Sequence, residues 1–212
     1  MALIHRTTLS PSKLELLAEW LPSQPWFDGD ASALASLGAY RFDDPDGEVG
    51  MEGHLLDAGD GRVYHVPLSY RGAPPDEGDA FLVGTTEHGV LGTRWVSDAA
   101  GDPVYRAVLA SVIARGGHEA SEEVQDAAGH VVAREMLTRV TGSGDPEAPV
   151  PEMWAASVES TATRTDIATG LATLGIMRAL DVSEAAAPVG SQVLRATWKG
   201  QDQPVVVATL TV

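Results

Sequence analysis

Cysteine is absent from the 212 residues. That excludes disulfides, thiolate metal sites, iron–sulfur clusters and a cysteine nucleophile. Lysine is nearly absent too, limited to Lys13 and Lys199, and 14 basic residues face 30 acidic ones for a formal charge of −16. Such a surface repels phosphodiester backbones and anionic headgroups, so neither nucleic acid nor membrane is expected as a partner. No apolar run approaches the ~18 residues of a transmembrane helix. The start, Met1-Ala-Leu-Ile-His-Arg6, lacks the apolar stretch of a signal peptide, and the expected location is the cytoplasm.

Catalytic signatures are missing as well. There is no Gly-x-Ser-x-Gly elbow, and Ser143 sits between two glycines in a proline-rich stretch without the strand and helix that an exposed nucleophile needs. The six histidines are scattered, with no His-Glu-x-x-His spacing, so no metal site is expected. Neither a Gly-x-x-x-x-Gly-Lys loop nor Gly-x-Gly-x-x-Gly occurs, and no cofactor is expected. Paired carboxylates such as Asp43/Asp44 and Glu122/Glu123 read as solvated faces or turns in so acidic a chain.

What is present is a globular composition, 44% hydrophobic and 21% charged, enough for one domain or two small ones. Ser10-Pro11 reads as a helix cap with proline in the first turn, and Leu14, Leu17, Trp20 and Leu21 follow at helical spacing until Pro22. Trp26 and Phe27 are expected to cover an edge of the core. From Leu37 the pattern alternates: strands over 37–42, 49–57 and 62–70, the last two joined at Asp60-Gly61, form a meander. A proline- and glycine-rich turn over 72–78 precedes a short strand starting at Phe81. Asp102-Pro103 opens a second helix to Arg115 with Val104, Val108, Ser111 and Val112 on one face, ended by Gly116-Gly117.

That glycine pair divides the chain into residues 1–115 and a mainly β region, 116–212. In the latter, 119–125 and 130–140 read as strands around 126–129, with a broken helix over 122–134 as the alternative. Residues 142–151 read as an exposed linker. The tail reads as a β-meander in which 167–180 also suits a helix, ending in a hairpin of 192–198 and 205–212. The fold class expected is α+β: a curved antiparallel sheet packed by two amphipathic helices, with a C-terminal antiparallel β region.

The stretch from Val63 to Asp98 gathers the polar residues worth weighing. His65 lies between apolar neighbours in a strand and reads as a hydrogen-bonded structural histidine. Arg71, His88, Arg94 and Asp98 are the candidate ligand-binding set. The two arginines would cradle an anion, or pair with nearby carboxylates to fix loops. Convergence in one open pocket would favour binding, and mutual burial would favour structure.

Several segments resemble a known domain: Leu17-x-x-Trp20-Leu-Pro-Ser-Gln-Pro-Trp26-Phe-Asp-Gly29, Tyr64-x-Val-Pro-Leu-Ser-Tyr-Arg71, Leu82-Val-Gly84 and Asp102-Pro103-Val-Tyr105. Together they resemble the N-terminal cap domain of actinobacterial maltokinases and related sugar kinases, over about residues 10–115. The segment Glu87 to Asp98 is similar to short, stand-alone proteins with that cap-like domain. In the kinases a following domain carries a His-Gly-Asp catalytic loop and a later metal-binding aspartate. This chain has neither motif and is too short for both kinase lobes. The resemblance therefore implies a non-catalytic interaction or regulatory module linked to glucan, trehalose or maltose metabolism, partnered by a sugar kinase or glucan enzyme. The alternatives are sugar or phosphosugar binding, or weak catalysis, in a cleft near Arg71, His88 and Arg94, and a homodimer through sheet edges.

Overall fold

Alternation of side chains across a strand lets one sheet bury two different faces, and this chain uses both. A computed structural model describes residues 2–4, 9–74, 79–125, 131–133, 136–182 and 189–212. In chain order they form β1 (Ala2–Ile4), β2 (Leu9–Ser10), α1 (Lys13–Trp20), β3 (Ala35–Phe42), β4 (Gly50–Asp57), β5 (Val63–Arg71), β6 (Leu82–His88), β7 (Gly92–Asp98) and α2 (Pro103–Ala114). There follow β8 (Glu122–Gln125), β9 (Val131–Ala133), β10 (Arg139–Gly142), β11 (Ser157–Ser160), β12 (Arg164–Ala168), β13 (Thr173–Met177), β14 (Ala179–Leu180), β15 (Gln192–Trp198) and β16 (Gln201–Thr211).

A curled antiparallel sheet runs β2-β6-β7-β5-β4-β3, with β14 also on β5. A second antiparallel sheet runs β10-β15-β16-β13-β12-β11, and β1, β8 and β9 make a small third one. The fold is α+β, as expected. On one face of the first sheet, Leu56, Tyr64, Val66, Leu68 and Val96 pack with Leu16, Leu17 and Leu21 of α1 and its continuation and with Trp26 and Phe27. On the other, Tyr40, Phe42, Met51 and Leu55 pack with Leu109 and Ile113 of α2 and with Val140, Ile176, Leu194 and Trp198 of the second sheet.

Strand β5 is bonded along its length to β4, but its other edge meets β14 at Val63–Tyr64 and β7 at Leu68–Arg71. Pro67, which has no N–H to give a ladder, sits in the gap between them. The chain crosses the first sheet there, with the His65 amide donating to the Arg178 carbonyl at 2.9 Å.

Several local expectations are corrected. Helix α1 is capped by Ser12, in a capping box with Glu15, while the cis Ser10–Pro11 bond lies before it; the reciprocal Ser–Glu bonds satisfy two end amides where proline satisfies none. Its buried residues are Leu16 and Leu17, whereas Leu14 is exposed. Helix α2 buries Tyr105, Leu109 and Ile113, and the Val104, Val108 and Val112 row is only partly buried, because the bulkier i, i+4 series takes the core. Phe81 lies in a helical turn, and the strand begins at Leu82. Where a helix was the alternative, the first reading as strand holds at 122–125, 131–133, 173–177 and 179–180. Only Lys199 and Gly200 separate the final pair of strands. The turns expected over 75–78 and 126–129, and His130, lie outside the described residues.

The expected linker is found over residues 143–150, which form no strand or helix and are mostly exposed, but its first residue, Gly142, belongs to the fold. Gly142 is buried in β10, and Gly144 donates its amide to the Ile113 carbonyl at 3.0 Å, closing the C-terminal end of α2. A Cβ at Gly142 would stand 2.1 Å from the Val112 carbonyl oxygen, and one at Gly144 1.8 Å from that of Ala114. Because backbone is the obstacle, Gly142→Ala should destabilise the fold by about 1–3 kcal/mol in urea unfolding. A loss within ~0.5 kcal/mol, the usual effect at an exposed surface position, would return Gly142 to the exposed linker.

Candidate functional site

Arg71 ends β5 and reaches Asp102 through two parallel bonds, Nε to Oδ2 and Nη2 to Oδ1, each 2.8 Å. Asp102 is the N-cap of α2 and also accepts from the Val104 amide at 3.0 Å. Burial would raise its carboxyl, but the Arg71 guanidinium and the cap amide outweigh that and hold it below the usual aspartate range. The pair therefore ties the central strand to the start of α2.

Asp98, at the end of β7, accepts from Arg178 Nη2 at 2.6 Å and from the Ala100 amide at 3.1 Å. Arg178 is fully buried; its Nε donates to Thr165 Oγ1 at 2.8 Å and its guanidinium lies 4.9 Å from the Trp26 ring centroid.

His88 and Arg94 meet elsewhere, at the β6–β7 turn. His88 Nδ1 accepts from the amides of Val90 and Leu91 at 3.3 and 3.1 Å, and Arg94 Nη2 donates to the Leu91 carbonyl at 2.7 Å. Arg71 is registered with Trp95, so Arg94 projects from the opposite face of the sheet. The four residues thus serve three separate contacts: Arg71 with Asp102, Asp98 with Arg178, and His88 with Arg94 around one turn.

A denser polar cluster lies on the α1 face and was not singled out from the sequence. Glu52 Oε2 accepts from Lys13 Nζ and lies 3.2 Å from His54 Nε2, which is 3.1 Å from the Tyr70 hydroxyl. Lys13 Nζ also lies 5.2 Å from the Tyr70 ring centroid. Burial works against the Glu52 charge, yet His54 and Lys13 outweigh it and keep the carboxyl well below the glutamate range. Burial and the Glu52 charge push the Tyr70 phenol well up. An ionised carboxylate and a neutral phenol pin the first turn of α1 to the sheet. The available signal was the alternation of Glu52 and His54 on one face of β4, together with Lys13 as one of two lysines. Among the described residues no three of His, Asp and Glu gather as a metal site.

His65 is a satisfied core histidine. The Met177 carbonyl, 3.1 Å from Nδ1, can only accept, so Nδ1 carries the proton and the Tyr40 hydroxyl donates to Nε2 at 2.9 Å. Burial and the nearby Arg178 charge push its pKa down to about 3. The unfolded chain takes up that proton near pH 6.5 and the folded chain near 3, so stability should fall with acid across that window. In urea unfolding from pH 7 to 4, His65→Gln should lower stability at neutral pH and flatten this slope. An unchanged slope would show that His65 is not its source.

Residues 20–102 match the family described as the maltokinase N-terminal cap domain. No curated protein matches the chain. The matched segment runs from Trp20 at the end of α1, through β3 to β7, to the Asp102 cap of α2. It thus covers β3 to β7 of the sheet that carries Arg71, His88, Arg94 and Asp98, and over these residues the chain is similar to the maltokinase N-terminal cap domain.

Proposed function

We propose that the chain is a non-catalytic module that docks on another protein of glucan, trehalose or maltose metabolism, such as a sugar kinase or glucan enzyme. One observation carries this reading: the β6–β7 turn presents Val90 and Leu91, 59% and 49% exposed, on a tip braced from both sides. His88 holds the two amides of the tip and Arg94 holds its Leu91 carbonyl. Thr93 Oγ1 closes the base by donating to Glu87 Oε1 at 2.6 Å. A rigid turn that exposes two apolar side chains loses little conformational freedom on binding, which suits a protein contact. The cap-domain match over this turn supports a kinase-related partner. Arg71 and Asp98, each engaged internally, serve the scaffold that carries the tip.

The expected outcome is co-migration with a candidate sugar kinase in size-exclusion chromatography at micromolar concentrations. Replacing Val90 and Leu91 by aspartate should weaken the complex at least about tenfold, roughly 1.4 kcal/mol, without lowering the melting temperature. No co-migration with any sugar kinase or glucan enzyme tested would count against a protein partner. A melting temperature raised by maltose, trehalose or their phosphates would favour the sugar-binding alternative.

A further inference from the structure

On the solvent face of the second sheet, β10 and β15 pair so that Arg139 lies opposite Thr197 and Thr141 opposite Arg195. Directly paired residues share a face. Two arginines and two threonines therefore alternate on one patch, while Val140, Leu194, Ala196 and Trp198 turn into the core. With Gly142 and Pro204 they line a groove of about 170 Å³.

Diagonal arginines on adjacent strands repel each other, and here they do so in a chain with only 14 basic residues. Arg139 is partly compensated. Its Nη1 donates to Glu119 Oε1 at 2.8 Å, and the other oxygen of that buried carboxylate takes the Val140 amide at 2.9 Å. This contact orients the guanidinium and leaves its remaining donors without a described partner. Arg195 is half-buried, and no described residue bonds its guanidinium or the hydroxyls of Thr141 and Thr197. Planar guanidinium donors beside short hydroxyls on rigid strands match the oxygens of a compact anion.

We propose that this groove binds a small tetrahedral oxyanion: phosphate, sulfate or a phosphomonoester. Arg195 supplies the principal charge, the outer nitrogens of Arg139 a second set of donors, and Thr141 and Thr197 their hydroxyls. The volume accommodates such an ion with room for a small organic group on its open side. The site lies outside the segment of residues 20–102 and does not depend on a protein partner for the cap.

The test is calorimetric titration of the full chain with sodium phosphate, sodium sulfate, glycerol phosphate and sodium acetate at constant ionic strength. Phosphate and glycerol phosphate should bind saturably, and Arg195→Gln should weaken both by about tenfold or more. Arg62→Gln serves as a remote control, since Arg62 forms an exposed pair with Asp28, and should leave binding unchanged. Arg195→Gln should keep the wild-type melting temperature, because the side chain faces solvent. Glycerol phosphate binding tighter than inorganic phosphate would support recognition of an ester, and equal affinities recognition of the ion itself. Absent saturation, an Arg195→Gln affinity equal to wild type, or acetate binding as well as phosphate would overturn the proposal.

Discussion

The structure depends on one buried ion pair, Asp98 with Arg178 at 2.6 Å. Withdrawing a carboxylate and a guanidinium from water costs several kcal/mol per ion, and proximity alone does not repay it. Here further contacts offset part of it: the Ala100 amide on Asp98, and Thr165 and the Trp26 ring on Arg178, whose Nη1 alone has no hydrogen-bond partner among the described residues. Trp26 belongs to the cluster under α1, Thr165 to the second sheet and Asp98 to the first. One guanidinium therefore joins three packed layers, and it does so at the gap in β5 that Pro67 leaves open. The backbone follows the same route, with His65 bonded through its amide to the Arg178 carbonyl and through its ring to that of Met177.

This arrangement explains why the polar residues of the Val63–Asp98 stretch do not form one pocket. A central strand buried on both faces directs successive side chains into different surroundings. Arg71 faces the α2 side and braces the helix start, while Asp98 faces the other side and meets Arg178. His88 and Arg94 lie at the far end of their strands and shape the turn that shows Val90 and Leu91. The cap-like sheet is thus a scaffold for its own loops, and α2 and the second sheet close its other face.

Much of the architecture was legible in the sequence because periodicity is a one-dimensional signal. Strands over 49–57 and 62–70 are found within a residue of β4 and β5, and 192–198 coincides with β15. Both helices were visible from apolar spacing and from Pro103 and Pro22. What sequence could not supply is pairing at a distance. Arg178 pairs across 80 positions and Lys13 with Glu52 across 39, so neither stood out. Local chemistry misled where two devices competed: Ser10-Pro11 resembled a cap, but Ser12 with Glu15 satisfied more end amides. The linker after β10 was legible, but not that α2 packs against the backbone of Gly142 and Gly144 at its start.

The most direct test is a double-mutant cycle at the ion pair, using Asp98→Asn, which retains an acceptor for the Ala100 amide, and Arg178→Met, which retains much of the stem. Breaking a buried pair from one side leaves an uncompensated charge, so Asp98→Asn should lower unfolding stability by about 3–5 kcal/mol. The double variant should recover part of that loss, and hydrogen exchange should show β5, β7 and β13 losing protection together in the single variant. Additive single effects, with protection lost only in the second sheet, would contradict the account and leave the two sheets to be joined by apolar packing alone.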